Sequence, residues 1–446
     1  MKFSKTKLTQ TQIIVLFFAA VIMLGTFLLC LPISSKSREW TPLLDSAFTA
    51  TSATCVTGLI VADTFTHWSL FGQIIIITMI QIGGLGVMTT IALFAVFAKR
   101  KINLYERKLL MASAGTIRTN GIIKLIKQII KITFICEGTG SVLFATRFCP
   151  EFGLVKGLYY SVFHAVSAFC NAGFDLMGTY GEYSSLTPFY NDISVNLIAC
   201  ALIISGGLGF LVWQDIIEHK YNFRQYSVHT KIVLTTSLFL ILGGWLFYFI
   251  FEKNASLAQM TAREKILASF FQSVSSRTAG FNTAPLNRLS ASGTVLMSFL
   301  MLTGGSPGST AGGIKTTTIA VMIIELAAVA KGRKDTVIFK RRLEDDTVKR
   351  AGAIISVYAA AVIIAVCFIC SIENLPLQDV VFEVASAAGT VGLTMGITPS
   401  LSPLSHLILM LLMFAGRIGG LTLVIAFTER REHAQLTRPT EKILIG

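Results

Sequence analysis

Four short runs of small residues, each closing on a glycine, carry the chemistry this chain can do. They are Cys55-Val56-Thr57-Gly58, Cys170-Asn171-Ala172-Gly173, Arg277-Thr278-Ala279-Gly280 and Gly389-Thr390-Val391-Gly392. None offers a nucleophile with a base, a metal-ligand set or a pair of acids. What each offers is backbone. Carbonyl oxygens turned toward one axis can replace the water around a monovalent cation. Glycine permits the angles this needs and leaves no side chain in the path. The closing glycines are separated by 115, 107 and 112 residues. Four copies at a near-constant period signal an internal repeat. The competing reading is four helix-ending glycines used only for turns.

The elements that must position these runs follow a common grammar. The stretches 48–59, 163–174, 270–281 and 382–393 each begin at an anchoring Phe (Phe48, Phe163, Phe270, Phe382), and Gly follows that Phe by ten. Ser52, Ser167 and Ser386 follow the Phe by four, whereas the third repeat places its serine at Ser275. Asp45 and Asp379 stand three residues before the Phe, where a carboxylate caps a helix N-terminus. A short helix entering the membrane here would aim its negative dipole end inward, which favours a cation. Each stretch is too polar to face lipid and too short to cross it, so flanking helices must enclose it.

Those flanks are apolar runs. The first spans of the repeats fall near 13–31, 128–146, 232–251 and 351–372, and the second spans near 70–98, 193–214, 295–330 and 404–427. About 20 residues of helix cross a bilayer core of ~30 Å. The expected fold is an all-α multispanning membrane protein, with eight transmembrane helices and four re-entrant pore segments around a pseudo-fourfold axis. The repeats divide as 1–105, 106–225, 226–345 and 346–446. Composition agrees: 53% of the 446 residues are hydrophobic, 14% are charged and the mean hydropathy is +0.68, which excludes a soluble enzyme. The net charge of +14 does not point to nucleic acid. Segments 1–10, 99–127, 215–231, 331–350 and 429–446 hold 26 of the 38 Lys and Arg, and the opposite loops hold 8. That asymmetry puts both termini in the cytoplasm. The first run is long enough to be a permanent span rather than a cleaved signal. The eight cysteines read as small buried hydrophobes, including Cys367 and Cys370. The six histidines form no metal spacing.

The second spans share mid-span glycine clusters: Gly83-Gly84-Leu85-Gly86, Gly206-Gly207-Leu208-Gly209, Gly304-Gly305, and Gly416 with Gly419-Gly420. In the first two repeats close helix packing through small residues accounts for them. The third departs. Thr303-Gly304-Gly305-Ser306-Pro307-Gly308-Ser309-Thr310-Ala311-Gly312-Gly313, continued to Thr318, contains five glycines, one proline and seven Ser or Thr. The helix must break there, and a loop at that depth must be buried or face a water-filled cavity. The run from Gly308 to Thr316 resembles a phosphate-binding loop, but Ile314 intervenes before Lys315 and no strand precedes it, so no nucleotide is assigned to this chain. Charges at depth are costly. Arg417 falls level with the loop, where its guanidinium could hold loop carbonyls and repel cations. Lys315 could snorkel. Arg277 is expected to turn its charge away from the pore or to pair it. Asp63, Asp175, Asp379 and Glu373 could give the outer mouth a negative field, although scattered loop acids are the plainer account. Glu137 and Lys131 receive no role.

Together these features make the chain resemble the pore-forming, potassium-translocating subunit of the Trk/Ktr/HKT superfamily, most closely the bacterial Ktr type. The resemblance covers almost the whole chain. It implies potassium uptake down its electrochemical gradient, with Gly58, Gly173, Gly280 and Gly392 as the filter glycines. Some members carry Ser at the first position and prefer sodium; this chain has Gly58. The resemblance further implies that 303–318 is an intramembrane gating loop. It implies a homodimer in the cell membrane and a cytoplasmic nucleotide-binding regulatory ring docked on the charged segment 331–350. Potassium is then substrate, and sodium stays open as an activator. A sodium- or proton-coupled symporter is the rival, and would need a carboxylate at mid-membrane. Glu137 and Glu325 are the candidates within spans, both placed away from the filter stretches. An intramembrane enzyme would need paired acids, a histidine or a Ser–base pair at depth, and the sequence places none there.

Overall fold

The computed structural model describes residues 9–97, 122–220, 222–333 and 335–420. Residues 1–8 of the cytoplasmic reading 1–10, residues 99–121 of 99–127, all of 429–446, Ala98 and the end of the last span lie outside them. Among the described residues the regular elements are helices and one two-stranded hairpin. The helices are α1 Gln10–Cys30, α2 Leu43–Cys55, α3 Leu70–Phe97, α4 Ile122–Phe152, α5 Leu154–Cys170, α6 Ile193–Gly207, α7 Phe210–His219, α8 Val228–Glu252, α9 Ala262–Ser275, α10 Ala291–Leu302, α11 Thr316–Ala330, α12 Asp345–Ile372, α13 Leu377–Gly389 and α14 Pro403–Ile418. Val337–Ile338 and Arg341–Arg342 form the antiparallel hairpin between α11 and α12.

Two kinds of apolar helix alternate. Thr11–Cys30, Ile126–Phe152, Val228–Glu252 and Asp345–Ile372 are each long and apolar enough to cross a bilayer unbroken. The helices between them are interrupted at the glycine clusters. Within α3, Gly86 leaves helical geometry at φ 76°. The axes of α6 and α7 bend by 95° across Leu208 and Gly209. The stretch 303–315 separates α10 from α11. Gly419 at φ 96° ends α14. The second repeat's run near 193–214 is therefore not one straight crossing, because left-handed glycines stop the hydrogen-bond ladder.

The short helices α2, α5, α9 and α13 sit inside this frame. Each packs against the interrupted helix of the preceding repeat: α5 on α3, α9 on α6, α13 on α10, and α2 on α14, which closes the circle. Phe48, Phe163, Phe271 and Phe382 anchor them, all at most 1% exposed. The third anchor is Phe271 and not Phe270, which is only half-buried. This corrects the sequence register and accounts for the displaced serine, since Ser275 follows Phe271 by four, as in the other repeats. One residue is missing between that serine and its glycine. Asp45 and Asp379 lie in the first helical turns, but Pro42 and Pro376 are the N-caps and neither makes a side-chain cap bond. The two carboxylates thus lie where negative charge favours the helix dipole, without capping the helix.

Candidate functional site: a ring of glycines against a glycine-rich loop

The four closing glycines meet. All have positive φ: 91° at Gly58, 70° at Gly173, 82° at Gly280 and 92° at Gly392. A Cβ on Gly58 would lie 2.4 Å from the Ala172 carbonyl oxygen, one on Gly173 2.7 Å from that of Ala279, one on Gly280 2.3 Å from that of Val391, and one on Gly392 2.2 Å from that of Thr57. Each glycine faces the carbonyl that precedes the next repeat's glycine. The contacts run one to two to three to four and back to one. No side chain fits at any of the four without moving backbone.

Local bonds hold each segment in this shape. Val56, Asn171 and Thr390 end their helices in the left-handed region, at φ 57°, 59° and 53°. The next amides turn back: Thr57 N–H donates to Ser52 O at 2.8 Å, Ala172 N–H to Ser167 O at 2.8 Å and Val391 N–H to Ser386 O at 2.9 Å. In the third repeat, one residue shorter, Ser276 stays right-handed and Thr278 takes φ 81° instead. The serines then brace the far side. Ser52 Oγ accepts from Gly58 N–H at 3.1 Å and Ser386 Oγ from Gly392 N–H at 3.0 Å. Ser167 Oγ donates to Phe174 O at 2.7 Å, and Ser275 Oγ donates to Phe281 O. The side chains of Asn171 and Thr278 hydrogen-bond at 3.1 Å and tie the second segment to the third. Arg277 points away from the ring; its guanidinium donates to Ser237 O and Oγ of α8 at 3.4 and 3.3 Å.

The stretch 303–315 lies against this ring. A Cβ on Gly312 would come within 2.1 Å of Thr390 Oγ1, and Gly313, at φ 67°, abuts Gly389. Its backbone finds partners at the breaks in other helices. Ser306 N–H donates to Gly207 O at 3.0 Å, Thr310 N–H to Gly206 O at 3.3 Å and Gly313 N–H to Gly416 O at 3.3 Å, while Gly308 O accepts from Phe210 N–H at 2.8 Å. Thr310 Oγ1 donates to Phe169 O at 3.1 Å. Lys315 does not snorkel. Its Nζ donates to Ala311 O at 2.7 Å and stays within the loop. Arg417 joins two regions: one Nη donates to Thr310 O and the other to Gly83 O and, at 3.0 Å, Gly84 O. The clusters thus do more than let helices pack. Gly83, Gly206 and Gly416 allow each interrupted helix to touch the end of its own short helix, where a Cβ would lie 1.9, 1.9 and 2.3 Å from the carbonyls of Thr54, Phe169 and Ala388.

Three of the four acids expected at the mouth have structural partners. Asp63 accepts from Phe65, Thr66 and Tyr183 N–H, and Asp175 from Met177 N–H. Glu373 accepts from Ser402 N–H at 2.8 Å and Ser405 Oγ at 2.6 Å, and those bonds hold its carboxyl below the ordinary range. Sequence reasoning missed one residue. The sequence sets Glu137 apart from the glycine-closed stretches, whereas its Oε1 accepts from Gln81 Nε2 at 2.9 Å and lies 4.0 Å from Cys170 Sγ. The only signal was an acid inside an apolar run. Glu325 accepts from the Thr336 hydroxyl, beside the hairpin.

Comparison with known proteins agrees with this architecture. The family model described as TrkH, cation transport protein, matches residues 3–437. The chain is 39% identical to the potassium/sodium uptake protein NtpJ of Enterococcus hirae, covering 99% of this chain and 98% of that protein. It is 37% identical to the Ktr system potassium uptake protein B of Bacillus subtilis, covering 99% and 97%. The fold is similar to the crystal structure of the potassium transporter TrkH from Vibrio parahaemolyticus, with a TM-score of 0.74 at 18% identity over 95% of this chain and 86% of that one. The chain, with its ring of glycines among broken apolar helices, belongs to the TrkH family of cation transport proteins.

Proposed function

We propose that this protein takes up potassium across the cell membrane through a channel-like pore whose selectivity filter is the ring at Gly58, Gly173, Gly280 and Gly392. The observation that carries the reading is the closed circle of left-handed glycines, each packed on the next repeat's carbonyl. Residues 55–58, 170–173, 277–280 and 389–392 present backbone oxygens to the ion, which sheds water for them. The helix C-termini behind them add negative potential. The relatives named for potassium uptake support potassium as the cargo.

The loop 303–315 with Arg417 is the gate. It packs against the ring, and its bonds to four other helices can be exchanged for bonds to water in an open state. The unbroken helices α1, α4, α8 and α12 and the four interrupted helices make eight crossings, and the short helices make four re-entrant segments, within repeats bounded at 105, 225 and 345. Both termini are cytoplasmic, the protein forms a homodimer, and a nucleotide-binding ring on the cytoplasmic side moves the gate.

Proteoliposomes carrying the purified chain test the filter. Gly58→Ser and Gly392→Ser should each lower the preference for potassium over sodium by about tenfold, equivalent to ~1.4 kcal/mol of differential binding. Unchanged preference in both variants would overturn the reading. Uptake should persist when no sodium or proton gradient is imposed; strict dependence on either gradient would favour the symporter.

A further inference from the structure

The four short helices turn one face to the chain that leaves the ring, and that face carries two rungs. The lower rung is the serine already described, Ser52, Ser167, Ser275 or Ser386, and all four are bonded at the ring. The upper rung lies three residues earlier on the same face, at Thr49, His164, Gln272 and Glu383. Each directly follows its anchoring phenylalanine and is at most 1% exposed. Here the repeats differ. His164 Nδ1 lies 2.7 Å from Tyr160 O, a group that can only accept, so Nδ1 carries the proton. Its Nε2 then accepts from Leu176 N–H at 3.4 Å, three residues past Gly173. Glu383 accepts from Thr394 Oγ1 at 2.8 Å, two residues past Gly392, and from the Thr398 hydroxyl. Thr398 is itself held by His406 on α14, whose Nε2 donates to its carbonyl at 2.8 Å. By contrast, Thr49 Oγ1 and both amide atoms of Gln272 have no hydrogen-bond partner among the described residues. The second and fourth quadrants stand opposite each other, so bonded and unbonded upper rungs alternate around the ring. The Glu383 tie calls for no charge. A carboxylate accepts both hydroxyls, and a carboxylic acid accepts from one and donates to the other.

We propose that His164 and Glu383 are positioning residues for ion preference, which clamp the outgoing chain of two opposite quadrants onto their short helices; this rests on the filter reading. Potassium and sodium carry equal charge and differ in radius. Discrimination then needs carbonyl oxygens that resist closing onto the smaller ion. A segment gripped only at its glycine can still pivot. A second grip two or three residues further on removes that freedom. Both side chains act through the backbone they hold, and neither coordinates the ion.

The test compares potassium and sodium uptake in proteoliposomes of the full chain. Glu383→Met and His164→Phe remove the ties while keeping bulk, and each should lower the preference for potassium over sodium by about three- to tenfold, the range of one or two hydrogen bonds. Glu383→Gln, whose amide can accept from one threonine and donate to the other, should stay within about twofold of the parent. Gln272→Met and Thr49→Val, at the untied positions, should do the same. Parental preference in either Glu383→Met or His164→Phe overturns the proposal. So does an equal drop in Glu383→Gln, since the tie would then not be what matters, or in Gln272→Met, since any change behind the ring would then loosen it. Where Glu383→Met or His164→Phe does not fold, Thr394→Val or His164→Leu breaks the same tie and carries the same expectation. Gly58→Ser separates the two readings. A changed preference there with both ties silent defeats this proposal alone, whereas parental preference in both Gly58→Ser and Gly392→Ser defeats the filter reading and this proposal with it.

Discussion

The ring and the loop packed against it are both non-helical, glycine-rich and buried, yet their backbones lean on other helices to different extents. Ring segments bond mainly to themselves: their amides return to the serines at the ends of their own helices. The loop divides its bonds: Gly304 N–H donates to Ile314 O and Thr316 N–H to Gly305 O across its own two ends, whereas Ser306, Thr310 and Gly313 N–H go to Gly207, Gly206 and Gly416, and Arg417 links it to the break in α3. Buried polar backbone must find partners in either case. Partners carried on the same short segment hold a shape whatever the neighbours do. Partners carried on other helices hold it only while those helices stay put. The first arrangement fixes a geometry and the second can yield, which is what the proposed filter and the proposed gate respectively require.

Four substitutions or conditions can break or sharpen that contrast. The largest effect is expected in the ring. Gly392→Val puts a branched side chain at φ 92° and 2.2 Å from the Thr57 carbonyl, so uptake should fall at least about a hundredfold, ~2.7 kcal/mol of barrier. Ion flux assays on monodisperse protein would check it, and a variant with parental uptake would show that the ring yields. Next is Arg417→Ala, which strips donors from three carbonyls on two elements. Charged hydrogen bonds contribute ~1.5–3 kcal/mol, so even partial loss should raise uptake without a partner by about tenfold. Reduced or unchanged uptake would assign Arg417 to folding instead. Ser386→Ala should be milder, costing ~1 kcal/mol of thermal stability through the lost bond to Gly392 N–H, with preference loosened only severalfold. A parental melting temperature would argue that the ring does not depend on its serines. The smallest effect is at the outer edge. Glu373, held below its ordinary range by Ser402 and Ser405, contributes stability at neutral pH that is lost as pH falls through its folded-state value. Melting curves at descending pH should show that loss in the parent and not in Glu373→Gln. Identical curves would remove the cap from the account.

Much of this was legible in the chain because period and residue type are local signals. Four glycines at a steady spacing, a serine ahead of each and a polar loop in the third repeat all survive in one dimension. The register of the third short helix was not legible, because Phe270 and Phe271 are adjacent and only burial tells them apart. The breaks in the first, second and fourth interrupted helices were hidden for a related reason. A left-handed glycine and a close-packed glycine are the same letter, and Gly86, Gly209 and Gly419 reveal their role only through φ. Arg417 could be placed level with the loop by counting residues. Glu137 could not be placed against Cys170, because that contact joins three helices from two repeats.

The residue whose carbonyl meets the neighbouring glycine differs in kind around the circle: Thr57, Ala172, Ala279 and Val391. Because all four sit on one polypeptide, a single codon change alters one quarter of the proposed conduit and leaves three intact. An assembly of four identical subunits has no such option, since every change arrives fourfold. Inherited variation can therefore adjust this opening in small, uneven increments, and lopsidedness becomes a means of tuning rather than a defect.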